Sequence, residues 1–421
     1  MTFIQNVDYS TFDDFVRNHK TKSHFMQSSA WGEFNAVEHG VKVHRTALLN
    51  DDGEIVGAAL LLERHPARFL PPYLYCPRGF VCDYSDKALV KAMTENLRRF
   101  ARSLGAMFIA IDPDVERREL ALDGSVVPDG FDNSDIVEYL LSLGYVHKGW
   151  TLGFGRSPRF TFRIDLTRDK PEIERSFTGN IMKNVRKSHH YAVRVCEGTS
   201  DDIPVLFDLL SHTADRDNFV MFQEHYYKNF YDILAKDGMT HLYMGYVDPS
   251  ATVRMLEEEL ASVLEKRQKL KKEGPLRESA ETEARLLREI SLFKDYASQY
   301  NGEIPVSGHL VVRYGDKAWA VHAGSLGKLN ETFCNNRTYY EKLMAQKEAG
   351  CVFLDMYGTE MDERFRTVHE FKMQWGGRLI EFIGEFDLVT KPFWYFVYEK
   401  IRPFYRNMRF ALIDLMKKIK K

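Results

Sequence analysis

The residues of this 421-residue chain that invite chemistry are cations in apolar or aromatic settings. Lys372 stands between Phe371 and Trp375, in HEFKMQWGG, just before a Gly-Gly pair. A partly buried lysine there can bind a phosphate or stabilise an oxyanion developing on a carbonyl. The same pattern also suits a surface lysine whose stem lies on an aromatic helix end. Arg216, in HTADRDNF, lies between Asp215 and Asp217, which equally fits a local ion pair. Arg78 follows the apolar YLYCP, and Asp112 closes the apolar run MFIAIDPD. A carboxylate at a strand end serves either as a cap or as a base. Lys183, Arg186 and Lys187 make EIERSFTGNIMKNVRKSHHYAV a basic helix and a local anion-binding patch.

Other chemistries lack their signatures. There is no phosphate-cradling GxxxxGK followed by Ser or Thr, no HExxH and no GxSxG. The Gly-rich loop of a coenzyme A acetyltransferase is missing too, since HAGSLGKLN lies near its place without its pattern. Five cysteines at irregular spacings give no CxxC pair and no disulfide framework. Neither a metal site nor a cofactor is expected, and the cysteine usage fits a reducing cytoplasm.

The elements that must position these residues repeat one order. Residues 1–150 read as an amphipathic helical start, two strand-like runs joined by an Asp-Asp-Gly turn, a loop-rich apolar piece (LPPYLYCPRGFVCDY), a helix and the buried strand AMFIAIDPD. After residue 150 come a strand, the basic helix, two further helices, a strand-like pair around a Gly-Asp turn, a helix and the strand CVFLDMYG. A hairpin, a helix and then an apolar strand is the order of an acetyltransferase half. Between the strand-like HLYMGYVD (241–248) and the strand-like SGHLVVRYGDKAWAVHAG (307–324) that holds the Gly-Asp turn, residues 253–302 read as two helices with narrow apolar seams: Leu256, Leu260, Val263 and Leu270, then Leu286, Ile290, Phe293, Ala297 and Tyr300. Gly274-Pro275 is expected to stop the first. The expected fold class is α+β: two acetyltransferase-like (GNAT-type) domains with an inserted antiparallel coiled-coil helical arm. The first domain spans 1–150 and is completed by 385–405; the second spans 151–252 and 303–390.

The formal charge of −2 excludes a chain that binds polyanions over its whole surface, so any nucleic-acid contact must be a local patch. The N-terminus lacks a signal pattern and no apolar run has the length of a membrane span, so a soluble intracellular protein is expected. The segment from Thr390 mixes aromatics with lysine and arginine, and 403–421 reads as a basic amphipathic tail. Such a tail suits contact with a membrane surface, and equally a terminal helix docked on its own domain.

Taken in order, FMQSSAWGEFNAV, YCPRGFVCDY, FIAIDPD, RFTFRIDL with SFTGNIMKNVRKSHHYAVRV, HTADRDNF, the Gly-Ser of HAGSLGKLN, FLDMYG and EFKMQWGGRLIEFIGEFDLV resemble the Fem family of non-ribosomal peptidyl transferases. The family builds peptidoglycan cross-bridges, and the resemblance runs from about residue 25 to 400. It implies transfer of an aminoacyl group from aminoacyl-tRNA to a stem-peptide amine, carried on lipid II or on a nucleotide-linked muramyl-peptide precursor. It implies Lys372 as the lysine that steadies the tetrahedral intermediate, Asp112 as the carboxylate near the reacting amine, and Arg216 as the contact to precursor phosphate. Arg78, Trp31, Asn35, Tyr75, Phe371 and Tyr357 complete the implied substrate site, and Lys183, Arg186 and Lys187 the implied tRNA contact. One departure is Asn35, where the family often has a lysine; the phosphate contact there is then weaker, or moved to Arg78. The implied arm resembles the tRNA-binding arm of a synthetase, although it could equally pair with a second copy. An acyl-coenzyme A N-acyltransferase on the same fold and a non-catalytic, membrane-associated scaffold stay open as alternatives.

Overall fold

Asn50 to Glu54 turns the chain between strands Lys42–Leu49 and Ile55–Arg64, with Gly53 at a φ of +83° that side chains resist. The computed structural model describes residues 1–150, 155–217, 219–359, 361 and 366–401. The chain divides into two units. One comprises Met1–Thr161, Gly358–His369 and the stretch from Leu379 onward; the other comprises Phe162–Tyr357 and Glu370–Arg378.

The first unit holds a seven-stranded sheet in the order Thr2–Gln5, Lys42–Leu49, Ile55–Arg64, Tyr73–Cys76, Phe108–Ile111, Phe386–Val389, Tyr145–His147. All neighbours are antiparallel except Tyr73–Cys76 and Phe108–Ile111, which run parallel with Tyr75 opposite Ala110. A parallel pair needs a crossover, here the helix Lys87–Ser103. Its N-terminus is capped by Asp86, which accepts from Leu89 N–H at 2.9 Å. Its apolar face (Leu89, Val90, Met93, Leu97, Phe100) enters a core with Leu61, Leu74, Ile109, Ile111, Phe386 and Leu388.

The second unit arranges its strands as Val193–Gly198, Thr240–Val247, Ile304–Tyr314, Lys317–Ser325, Phe353–Asp355, Phe160–Asp165. Again one pair is parallel, Lys317–Ser325 with Phe353–Asp355, and a helix (Cys334–Glu348) makes the crossover. The helices Ile203–Asp217 and Glu224–Ala235 occupy the chain positions that Tyr9–Asn18 and Ser29–His39 occupy in the first unit. The two units thus share one element order, and differ in the link between their second and third strands. In the first that link is the Gly53 turn. In the second it is a helical hairpin, Pro249–Arg267 and Glu273–Gln299.

The hairpin differs from the sequence expectation in one detail. Gly274-Pro275 does not stop the first helix; it lies in the first turn of the second. Proline is tolerated there because the first-turn N–H groups have no helical partner to lose. Leu270 consequently falls in the connecting turn rather than on a seam. Leu256, Leu286, Ile290 and Phe293 are buried at the root with Tyr191, Val247, Ile304 and Val306, whereas Val263, Leu270 and Leu276 farther along are half-buried.

Three further expectations change. The basic helix of the second half is two short helices, Lys170–Ser176 and Ile181–Lys187, followed by a 3₁₀ turn at Ser188–His190. The break falls where Gly179 adopts a φ of +60° and Thr178 N–H donates to Gln374 O instead of continuing a helix. The loop-rich LPPYLYCPRG contains the strand Tyr73–Cys76. Residues 379–384, expected only in the second domain, fall in the first unit. So do residues 385–390, expected both at the end of the second domain and in the segment completing the first, and Phe386–Val389 hydrogen-bonds between Phe108–Ile111 and Tyr145–His147. The tail 403–421 lies outside the described residues.

The seam predicts a steep contrast along the hairpin. Phe293→Ala should cost about 3 kcal/mol, as expected for deleting a buried ring, whereas Leu287→Ala, 51% exposed, should stay within about 0.5 kcal/mol. Urea unfolding of the two variants checks this; equal losses would mean that the seam is not what holds the hairpin root.

Candidate functional site

Lys372 lies in the last turn of helix Arg366–Met373 and is 8% exposed. Its Nζ donates to the Tyr357 carbonyl at 2.6 Å. That carbonyl belongs to a residue at φ +49°, a left-handed conformation that costs a tyrosine on the order of 1 kcal/mol or more. The Asp355 carboxylate holds the turn: Oδ1 accepts from Tyr357 N–H at 2.8 Å, and Oδ2 accepts from Arg163 Nε at 2.9 Å. Burial pulls the Lys372 ammonium down to about 8, and the nearby Asp355 charge limits the fall. Near neutral pH the group is therefore a cation poised close to its titration point.

The aromatic wall anticipated around Lys372 centres on Tyr339, a residue the sequence reading passed over. The Phe371 ring meets Tyr339 edge-on at 4.9 Å, and Trp375 stacks on it at 5.2 Å. Over the same ring, 3.5 Å from its centroid, stands Nζ of Lys342. Lys342 is fully buried in helix Cys334–Glu348, and its amine has no hydrogen-bond partner among the described residues. Burial, reinforced by the Lys372 charge, drives its pKa far below the ordinary lysine range and so favours the uncharged amine. His309 completes the group, 4.3 Å from the Tyr339 ring, with Nε2 at 2.9 Å from Asn335 Oδ1. Burial pushes the pKa of that imidazole well below its ordinary range. No pattern signals Lys342: in TYYEKLMAQKEAG it reads as one of several surface charges.

Arg216 ends the helix Ile203–Asp217 in a bidentate pair with Asp217 at 2.9 and 3.1 Å, and Nη1 reaches Ser325 Oγ at 3.3 Å. The contact depends on Gly324. A Cβ there would come within 2.6–2.9 Å of the Leu209–Leu210 backbone, so only glycine lets this helix lie against the strand. Lys183, Arg186 and Lys187 are exposed on Ile181–Lys187, with Lys187 Nζ 5.6 Å from the Phe333 ring.

In the first unit Asp112 directly follows Phe108–Ile111 and is 3% exposed. Oδ1 accepts from the Arg78 backbone N–H at 2.8 Å and Oδ2 from Tyr75 OH at 3.1 Å. Burial raises its pKa above the usual carboxylate range, and Arg78 opposes the rise. Arg78, at φ +52°, lays its guanidinium 4.2 Å over Phe382 and donates to Pro158 O at 2.7 Å. The Tyr75 hydroxyl is also 3.1 Å from Ser157 Oγ. Asn35 is buried on Ser29–His39, one helical turn from Trp31; it donates to Trp31 O and accepts from Arg64 Nη2 at 3.0 Å. Arg64 in turn sits 5.9 Å over the Tyr75 ring. Asn35, Arg64, Tyr75, Asp112 and Arg78 thus form one connected polar chain.

Arg64 and Ser157 were not foreseen, because contacts 29 and 82 residues apart in sequence leave no local pattern. Nor was the buried carboxylate of Glu381, shared by Arg117, Arg118 and Arg159. No group of three His, Cys, Asp or Glu among the described residues is arranged to hold a metal ion.

A family model described as the FemAB family matches residues 7–402. A lipid II:glycine glycyltransferase of Staphylococcus haemolyticus (strain JCSC1435) is 27% identical over 432 residues, 99% of either chain. A protein of the same name from Staphylococcus aureus (strain USA300) is 27% identical over 428 residues, 97% of either chain. The crystal structure of FemX matches with a TM-score of 0.75 at 25% identity, covering 95% of this chain and 100% of that one.

The buried amine of Lys342, without a hydrogen-bond partner among the described residues, gives a signed prediction. Its folded-state pKa lies below its unfolded value, so the unfolded chain binds the proton more tightly and stability rises with pH between the two. Lys342→Met should therefore stabilise the protein by about 1–3 kcal/mol at pH 7, and the gain should shrink towards about pH 10. Denaturation at both pH values tests it; a destabilised variant at pH 7 would show that the amine is paired in solution.

Proposed function

Since the chain belongs to the FemAB family, we propose that it is an aminoacyltransferase that builds peptidoglycan bridges. It takes an amino acid, glycine first among candidates by the names of its relatives, from aminoacyl-tRNA. It delivers that residue to the stem-peptide amine of lipid II at the inner membrane face. The acetyltransferase-like character of both halves and the hairpin as a projecting arm belong to the same reading. The observation that supports it most is Lys372, a cation about 92% buried and tied to a strained carbonyl.

The aminoacyl ester is already activated, so the reaction needs alignment and charge compensation rather than a covalent enzyme intermediate. The acceptor amine attacks the ester carbonyl, the tetrahedral oxyanion forms, the C–O bond to the ribose breaks, and that oxygen leaves with a proton. Lys372 supplies the charge opposite the oxyanion, where a desolvated donor is worth far more than in water. Asp112, with a carboxyl raised by burial, takes the proton that the attacking nitrogen sheds. In the second unit Arg216 is the phosphate contact and Phe371 and Tyr357 flank Lys372; in the first unit Arg78 is the phosphate contact and Trp31, Asn35 and Tyr75 are the substrate contacts of this reading. The tRNA meets the exposed Lys183, Arg186 and Lys187 rather than the shaft of the hairpin. Residues 249–300 carry ten Lys/Arg against ten Asp/Glu. Several of those cations are consumed in pairs such as Lys294–Glu257 at 2.8 Å and Arg285–Glu259 at 3.2 Å.

The decisive test is transfer of label from a pool of aminoacyl-tRNAs to purified lipid II, with an RNase-treated pool as control. RNase-sensitive label in the lipid fraction is expected; label that survives RNase would point to another acyl donor. Lys372→Ala should lower kcat by about 10²–10³-fold with KM for lipid II little changed, and full activity would remove Lys372 from the reaction. Because the working form is the ammonium, kcat should be retained below and lost above about pH 8. A profile flat to pH 9.5 would contradict that role.

A further inference from the structure

The three most exposed phenylalanines among the described residues are Phe393, Phe396 and Phe69, at 68%, 60% and 58%. They surround one small aromatic core of the first unit. Helix 392–401 docks through Trp394, Tyr395, Val397 and Tyr398 on a cluster of Leu70, Met107, Phe108 and Ala110. It is pinned by Tyr395 OH on Asp387 at 3.0 Å and by Lys148 on Glu399 at 2.8 Å. That docking leaves Phe393 and Phe396, one helical turn apart, facing away from the core. Ala67 and Leu70 pack into the same cluster, so Phe69 between them is presented at its margin.

Three largely exposed phenylalanine rings are costly in water, and none is buried in the core of the unit; Phe393 meets its neighbour Trp394 edge-on at 5.3 Å. Their surroundings are basic. Lys400 Nζ stands 5.5 Å over the Phe396 ring, Arg68 is exposed beside Phe69, and the helix leads directly into residues 402–421, which hold seven Lys/Arg and one Asp. Glu399, the acid nearest in sequence, is taken up by Lys148. Apolar rings within a basic rim match the boundary between headgroups and acyl chains of an anionic bilayer. No helix among the described residues is long and apolar enough to cross a membrane, so an attachment through these residues lies on the surface.

We infer that Phe69, Phe393 and Phe396 form a surface that inserts into the interface of an anionic membrane, with Arg68 and Lys400 at its rim adding charge attraction. This deepens the lipid-linked reading above, but its test uses no transfer reaction. The full-length chain is sedimented with vesicles of phosphatidylcholine alone or of seven parts phosphatidylcholine to three parts phosphatidylglycerol. The expected result is binding to the anionic vesicles, weakened about tenfold or more in a Phe69→Ser/Phe393→Ser/Phe396→Ser variant. A Phe→Leu variant at the same three positions should keep most of the binding, which separates lost insertion from lost folding. Transfer to detergent-solubilised lipid II should be unaffected by either variant. Vesicle binding by the serine variant equal to that of the parent would overturn the inference, since charge attraction alone would then suffice. So would a parent dimer in vesicle-free buffer that the serine changes dissociate, because the rings would then face a second copy.

Discussion

Taking a lysine ammonium out of water costs several kcal/mol unless it is paired and hydrogen-bonded, and the interior of the second unit is arranged around that cost. Two lysine amines are buried there and meet it differently. Lys372 keeps its charge near neutral pH because a carbonyl accepts a hydrogen bond from it and a carboxylate lies close by. Lys342 is pushed towards its neutral form by burial and rests on an aromatic face. The partners come from separate parts of the fold: Asp355 from the end of the parallel strand, Tyr357 from the turn after it, Lys342 and Tyr339 from the crossover helix, and Lys372 from the short helix Arg366–Met373. The parallel pair with its crossover is thus the frame on which the candidate site hangs.

The same frame occurs in the first unit, with the same local device at its end. Asp112 follows the parallel strand and accepts the N–H of Arg78 at φ +52°; Asp355 ends its strand and accepts the N–H of Tyr357 at φ +49°. In both, a buried carboxylate steadies a left-handed residue that a non-glycine side chain would otherwise avoid. The outcomes differ in charge. The first unit continues through the Tyr75 ring, on which Arg64 rests while it hydrogen-bonds Asn35, and the second surrounds a lysine with rings. One topology has been given two chemistries by changing the side chains at its strand ends, as expected when function resides in sites rather than folds.

Charge is distributed with equal economy. The chain is almost neutral, the helical hairpin balances its acids and bases, and the excess cations lie in short tracts at 181–187 and beyond 401. The phosphate contacts of the proposed function would therefore rest on local patches whose strength falls with salt.

The sequence by itself determined the apolar hairpins, the crossover helices, the paired helices of the inserted segment and the ordered series of motifs that carries the family resemblance. Each is written in residues a few positions apart, where periodicity, turn residues and caps act directly on the backbone. It also brought out Lys372, because Phe371 and Trp375 flank it in the chain. Tertiary structure alone decided what surrounds that lysine. Lys342 reads as a surface charge until the crossover helix turns it inward, and Asp355 and Tyr357 become its neighbours only through the strand pairing. Gly274-Pro275 reads as a helix stop until the chain shows which side of it the helix occupies. That residues 385–405 complete the first domain is expected from the sequence, but the register that pairs Phe386–Val389 with Phe108–Ile111, some 275 residues away, is decided only in the fold. Burial and long-range pairing are properties of the assembled fold, and the free energy of a buried charge depends on neighbours that the linear order keeps apart.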